Sequence, residues 1–135
     1  MAKESGLGLT VALDDSGGTA RSIENDVTDL TFSTPRGVQD ATGVDSSAME
    51  RILLLADFQA SLTGIFNDAA STGFHTVVKD IGSTSATRTL TLVHSGQTLA
   101  NEVICTDQQW TRSGTGELTA TVPCQLNSTT VPTWS

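Results

Sequence analysis

Arg51-Ile52-Leu53-Leu54-Leu55-Ala56-Asp57-Phe58-Gln59-Ala60-Ser61-Leu62-Thr63-Gly64-Ile65-Phe66-Asn67 is the stretch whose reading decides the fold. Ile52, Leu54, Ala56, Phe58, Ala60, Leu62, Gly64 and Phe66 fall on every second position. The intervening side begins apolar, with Leu53 and Leu55, and then turns polar at Asp57, Gln59, Ser61 and Thr63. This is the pattern of a β-strand buried on one face along its length and partly solvated on the other. Extended, the run would measure roughly 50 Å at about 3.3 Å per residue, far beyond the usual strand of about 5–6 residues. Either it bends from one sheet into another, or its first turn is helical. Ser47 with Glu50 three positions on has capping-box spacing. The expectation is a short helical turn or a loop over 46–51, followed by strand.

The 135 residues suffice for one domain with a real core. Charged residues are sparse at 16%, and Thr, Ser and Gly take their place on the surface, which favours β structure. No run of about 18 apolar residues could span a membrane. The start, MAKESGLGLTVALDD, lacks the apolar core and cleavage site of a signal peptide, so synthesis and folding in a cytoplasm are expected. Cys105 and Cys124 are too few and too far apart for a zinc site or a redox CxxC motif. They read as buried thiols, with a disulfide open to them only if their strands are neighbours.

The net charge is −8, and nine of the fifteen acids lie in the first fifty residues. Such a chain repels nucleic-acid phosphates instead of gripping them.

Along the chain, residues 1–8 are a Gly-rich arm and Leu9–Leu13 a first strand, followed by a turn at Asp14–Gly18. Arg21–Asp26 is ambiguous, and Val27–Phe32 is a second strand. Residues 33–45, with two glycines, a proline and no period, form a long loop of the kind that is functional or disordered. Phe74, Val77, Val78 and Ile81 share one helical face closed by Gly82. Thr87–Val93, a turn at His94–Gln97, a strand from Leu99 that can run on to Trp110, and Leu118–Leu126 complete a set of six or seven strands. Pro123 places its strand at an edge or a bulge. Trp134 is expected to dock somewhere. The sum is a mainly β fold, a β-sandwich or small barrel with one short helix.

Chemistry is nearly absent from the residues. His75 and His94 have no second ligand at metal spacing, and no GxSxG or phosphate-binding glycine loop occurs. Asp14-Asp15-Ser16-Gly17 lacks the twelfth-position glutamate of a calcium loop. Six aromatics are thin for a glycan or base-stacking surface. No catalytic, cofactor or metal residue is therefore assigned, and the chain is read as not an enzyme.

Three blocks, DDSGGTARSIENDVTDLTFSTPRGVQDATGVDSSAMERILLLADFQASLTGIFN, SATRTLTLVHSGQTLANEV and GELTATVPCQLNSTTVPTW, closely resemble the small major tail proteins of long-tailed bacteriophages, with a non-contractile tail the first expectation. The resemblance implies a β-sandwich with a flanking helix, six subunits to a ring, and rings stacked into a tail tube that conducts DNA into the host. It implies that the loop 33–45 and the arms 1–8 and 127–135 reach neighbouring subunits. The contact residues would be Thr34, Pro35, Arg36, Gly37, Val38, Gln39, Asp40, Thr42 and Trp134. Partners would be further copies of the chain, a tape-measure protein in the lumen, and terminator and tail-tip proteins at the ends. Six copies at −8 each would give a ring of about −48 formal charge, an acidic lumen through which DNA slides without specific binding. Asp29 and Asp57 are the lumen candidates. Two other readings remain: a monomeric β-sandwich that binds a glycan or host receptor, and the inner tube of a contractile tail or secretion device.

Overall fold

Alternation of apolar with hydroxyl-bearing side chains resolves into ten strands and one short helix in the computed structural model, which describes residues 3–135. In chain order the strands are β1 (Thr10–Asp14), β2 (Ala20–Ser22), β3 (Val27–Ser33), β4 (Arg36–Asp40), β5 (Arg51–Ala56), β6 (Gln59–Ile65), β7 (Arg88–His94), β8 (Gln97–Cys105), β9 (Gln109–Arg112) and β10 (Leu118–Leu126). The helix α1 (Phe74–Val78) lies between β6 and β7. The main sheet is antiparallel and ordered β2-β1-β7-β8-β10-β6-β3, with β9 also on β10. The expected mainly β fold is what forms, with more strands than the six or seven anticipated.

The sheet cannot be flat. Six inter-strand steps of about 4.8 Å would set its edge strands β2 and β3 roughly 29 Å apart. Only residues 23–26 join them, a span of at most about 18 Å between the flanking Cα atoms. The sheet therefore curls like a barrel around one core. Val11 and Leu13 of β1, Ala60 and Leu62 of β6, Leu90 and Leu92 of β7, Leu99 and Val103 of β8, and Ala120 and Val122 of β10 point inward. Phe74, Val77 and Val78 of α1, with Ile81 beyond it, plug this core from one end.

The 51–67 run takes the bend of the two alternatives, and no helical turn forms before it. β5 and β6 are separated at Asp57-Phe58, and β5 belongs to a separate two-stranded sheet with β4. Ile52 and Leu54, expected on the buried face, are exposed, whereas Phe58, Ala60, Leu62 and Gly64 are buried as expected. Phe66 is again exposed. The loop expected at 33–45 is also corrected: Arg36–Asp40 is a strand paired with β5.

Other expectations hold in part. The helix ends at Val78, and Ile81 joins the same apolar face through an i→i+3 bond from its N–H to the Val78 carbonyl (3.2 Å). The track of β8 does continue toward Trp110, but with a break: β8 pairs with β10 up to Cys105↔Cys124, and β9 resumes on β10 at Gln109↔Thr121 with the register displaced by one. Pro123 faces this break, with its carbonyl accepting from the Thr106 N–H. Its missing donor falls on the same side, where the ladder is interrupted anyway. Cys105 and Cys124 do lie on neighbouring strands, as free thiols.

Gly64 is required by packing. A Cβ there would sit 2.9 Å from the Phe74 ring, which is wholly buried. Gly64→Ala should destabilise the chain by about 1–3 kcal/mol through overpacking. The check is a lower urea midpoint at unchanged m-value.

Candidate functional site

From Ser33 to Leu55 every residue but Thr42 is exposed. The cause lies in the strand pairing. Ser33↔Gln59 in the main sheet and Arg36↔Ala56 in the small sheet share one register, so β3-β4 and β5-β6 form a single long hairpin. It is bent at Thr34-Pro35 and Asp57-Phe58, where the Asp57 N–H still donates to the Pro35 carbonyl (2.9 Å). Its lower half lies in the barrel wall. Its upper half stands free of it.

Beyond Arg36 the register slips: between the pairs Arg36↔Ala56 and Val38↔Leu53, Gly37 alone opposes two residues, Leu54 and Leu55. This is a β-bulge on β5. Arg36 Nε and Nη2 both donate to the Leu54 carbonyl (3.1 and 2.8 Å), an acceptor within the bulge. Gly37 lies against Leu54, whose Cβ would stand 3.3 Å from an added Cβ. At the tip, Asp40 Oδ1 accepts from the Thr42 hydroxyl and N–H (2.6 and 2.9 Å), and these bonds hold its carboxyl below the usual range. Thr42 Oγ1 in turn accepts from the Glu50 N–H (2.9 Å), and the Ala41 N–H donates to the Glu50 carbonyl. The arm is therefore shaped by its own polar residues, while its apolar ones have nothing to cover them.

Those apolar residues occupy both faces. Leu53 pairs across the strands with Val38 on one face, and Ile52 with Gln39 on the other. Leu53 is 59% exposed, Ile52 51% and Leu55 88%, and Val44 and Met49 near the tip are exposed too. Apolar clusters of this kind mark surfaces that another surface covers. An isolated two-stranded hairpin is also marginal in water.

The remaining site candidates fall elsewhere. Thr34 and Pro35 are at the bend and exposed. Trp134 lies against its own chain, with its ring 6.1 Å from Phe32, and is still 46% exposed. Beside it Ser135 and Thr98 exchange two backbone hydrogen bonds (2.8 and 2.9 Å), which tether the segment 127–135 to β8. Of the arm 1–8, residues 1 and 2 lie outside the described residues, and residues 3–8 are exposed.

Asp29 and Asp57 meet on one surface. The outward face of β3, β6 and β10 carries Asp29, Thr31 and Ser33, then Gln59, Ser61 and Thr63, then Thr119, Thr121 and Gln125. Asp57 adjoins it, its Oδ2 accepting from Gln59 Nε2 (3.4 Å) and its Oδ1 from the Phe58 N–H (2.8 Å). No lysine or arginine lies on these three strands. The periodicity of β6 alone pointed to a polar face, but the neighbours that complete it follow only from the strand pairing.

His94 ends β7, beside the turn to β8, with Nε2 3.9 Å from the Glu4 carboxylate, and the His75 ring lies 4.5 Å from that of Phe66. Among the described residues no group of three or more His, Cys, Asp or Glu is placed to hold a metal ion.

No family model and no curated protein matches the sequence. Solved structures do. A chain of the tail of an empty GTA particle, solved by helical refinement with C6 symmetry, matches with TM-score 0.77 at 18% identity, covering 98% of each chain. A chain of the native gene transfer agent (GTA) virion matches at 0.76 and 16% identity, over 97% of this chain and 99% of that one. A chain of the anti-feeding prophage (AFP) baseplate, 6-fold symmetrised, matches at 0.63 and 8% identity, over 100% and 97%. This chain thus has, over its whole length, the fold of chains from phage-like tail and baseplate assemblies.

In the isolated subunit, the amides of Val38–Asp40 and Ile52–Leu54 should exchange with deuterium about 100-fold faster than those of β6. Hydrogen-exchange mass spectrometry gives the comparison, and equal protection would mean the arm is stable unpartnered.

Proposed function

We propose that this chain is a non-enzymatic structural protein of a phage-like virion, one that assembles as hexameric rings stacked into a tail tube through which DNA passes into the host. The observation that carries the reading is the arm formed by β4 and β5. Both of its faces are apolar and uncovered in the single chain, and the chain's fold is that of components of six-fold assemblies. Contact with further copies would bury Ile52, Leu53, Leu54 and Leu55 and occupy the strand edges that the arm leaves open. Thr34, Pro35, Arg36, Gly37, Val38, Gln39, Asp40 and Thr42 belong to or border that arm and are its contact residues in this reading. The segments 1–8 and 127–135, with Trp134, supply the second set. A tape-measure protein inside the tube and terminator and tip proteins at its ends complete the assembly, made in the bacterial cytoplasm.

The outward face of β3, β6 and β10 is the lumen wall in this reading. Its hydroxyl and amide side chains offer DNA phosphates no cation to bind, and Asp29 and Asp57 add repulsion. The face carries few apolar side chains that a subunit contact would bury, namely Pro123 of β10 and Ile65 at its end.

Negative-stain electron microscopy across protein concentrations tests the assembly. Rings or hollow tubes of uniform width are expected, nucleated where necessary by tip and tape-measure proteins. A chain that stays single even with those proteins present would favour a monomeric binding module. The double variant Ile52→Asp/Leu53→Asp, with one change on each face of the arm, should keep subunit stability within about 0.5 kcal/mol while preventing tubes. A second variant probes the wall: Asp29→Lys/Ser61→Lys tubes should retain short duplex DNA that wild-type tubes release, read by fluorescence anisotropy at low salt. Equal release would remove this face from the lumen.

A further inference from the structure

We propose that Cys105 and Cys124 form a cross-strand disulfide when the chain meets a low-molecular-weight disulfide, and that this bond staples a short seam in the middle of the sheet. The seam lies between β8 and β10. They share three registered pairs, Val103↔Leu126, Ile104↔Gln125 and Cys105↔Cys124, against seven for β7 with β8 and seven for β6 with β10. At its end Thr106 donates to the Pro123 carbonyl (3.2 Å), but proline returns no N–H. This seam divides β2-β1-β7-β8 from β10-β6-β3.

The backbone already suits the bond. The Thr106–Pro123 hydrogen bond makes 106 and 123 the hydrogen-bonded pair, so Cys105 and Cys124 form the adjacent non-hydrogen-bonded pair. Cα atoms in such pairs lie about 4.5 Å apart, within the roughly 4.4–6.8 Å that disulfides span. The two Sγ atoms are 3.2 Å apart, so closure to about 2.05 Å needs a small rotation of the side chains.

The two thiols are unequal. Cys105 is half-buried and Cys124 is 1% exposed. The hydrogen bond from Cys124 holds the Cys105 thiol below the usual thiol range; the charge of buried Arg88 adds to this and burial opposes it. The same bond and burial push the Cys124 thiol up. Arg88 is a neighbour by construction, since it pairs with Val103, two residues from Cys105 on the same strand.

The Cys105 thiolate attacks one sulfur of the reagent disulfide, whose S–S bond breaks and releases one thiolate that takes up a proton. Cys124 then gives its proton to solvent and attacks Cys105 Sγ, and the second reagent thiolate leaves and is protonated. Two protein thiols are oxidised and one reagent disulfide is reduced to two thiols.

The test uses the full chain with oxidised glutathione, followed by thiol titration in denaturant, intact mass and thermal melting. Both thiols should disappear, the mass should fall by about 2 Da, and the chain should remain a monomer on a non-reducing gel. The melting temperature should rise by on the order of 10 °C and return with reductant. Cys124→Ser should instead keep a glutathione adduct on Cys105 and show no such rise. Surviving thiols, a lasting glutathione adduct on the wild type, or cross-linked dimers would overturn the disulfide. An intramolecular disulfide without the rise in melting temperature would overturn the staple.

Discussion

The Asp26 carboxylate sits where three parts of the chain must meet, and it is buried. Both of its oxygens accept from Asn67 Nδ2 (3.1 Å each), and Oδ2 also accepts the Phe74 N–H at the start of α1 (3.1 Å). Its backbone carbonyl accepts from the Ile65 N–H at the end of β6 (3.0 Å). A buried carboxylate without donors would be costly, and here the donors come from the segment that turns the chain from β6 into α1. One residue therefore joins the start of β3, the end of β6 and the helix that closes the core. It does so in the short 23–26 crossing that curls the sheet.

Above that junction the molecule is an economical wall of small polar residues around a narrow aliphatic core. Phe58 and Phe74 are its fully buried aromatics. Phe58 lies directly after the bend, so the residue that turns the long hairpin out of the wall is followed by one of the core's largest anchors. The anchor and the arm are successive parts of one strand path. Arg88 shows the same economy: although wholly buried, it has backbone carbonyls for partners, Val77 (2.6 Å) and Asp14 (3.1 Å), which link α1 and β1 to β7.

Much of this was legible in the residues. The β7–β8 hairpin was readable from His94-Ser95-Gly96-Gln97, and Ser95 and Gly96 do take the positive φ values (52° and 79°) that a tight turn demands. Alternation in β6, β8 and β10 gave the right inward residues because both faces of those strands have distinct environments. The 51–56 segment misled for a physical reason. Periodicity reports a difference between faces, and β5 has two apolar faces, a bulge that breaks the alternation, and no core beneath it. The partner strand β4 was hidden because Arg36-Gly37-Val38-Gln39-Asp40 has little apolar pattern of its own. Likewise, Asp29 and Asp57 could be named singly, but their common surface depends on β3–β6–β10 pairing across distant parts of the sequence.

The bent hairpin also has a mechanical meaning. β4 and β5 of the projecting arm run without a loop into β3 and β6, and β6 is held by seven pairs to β10 on one side and by β3 on the other. A pull on the arm along its own axis therefore loads the ladder of the wall in shear, many hydrogen bonds at once, instead of peeling them one by one. Tension applied at the arm is carried into the body of the subunit through the backbone, with no flexible linker between.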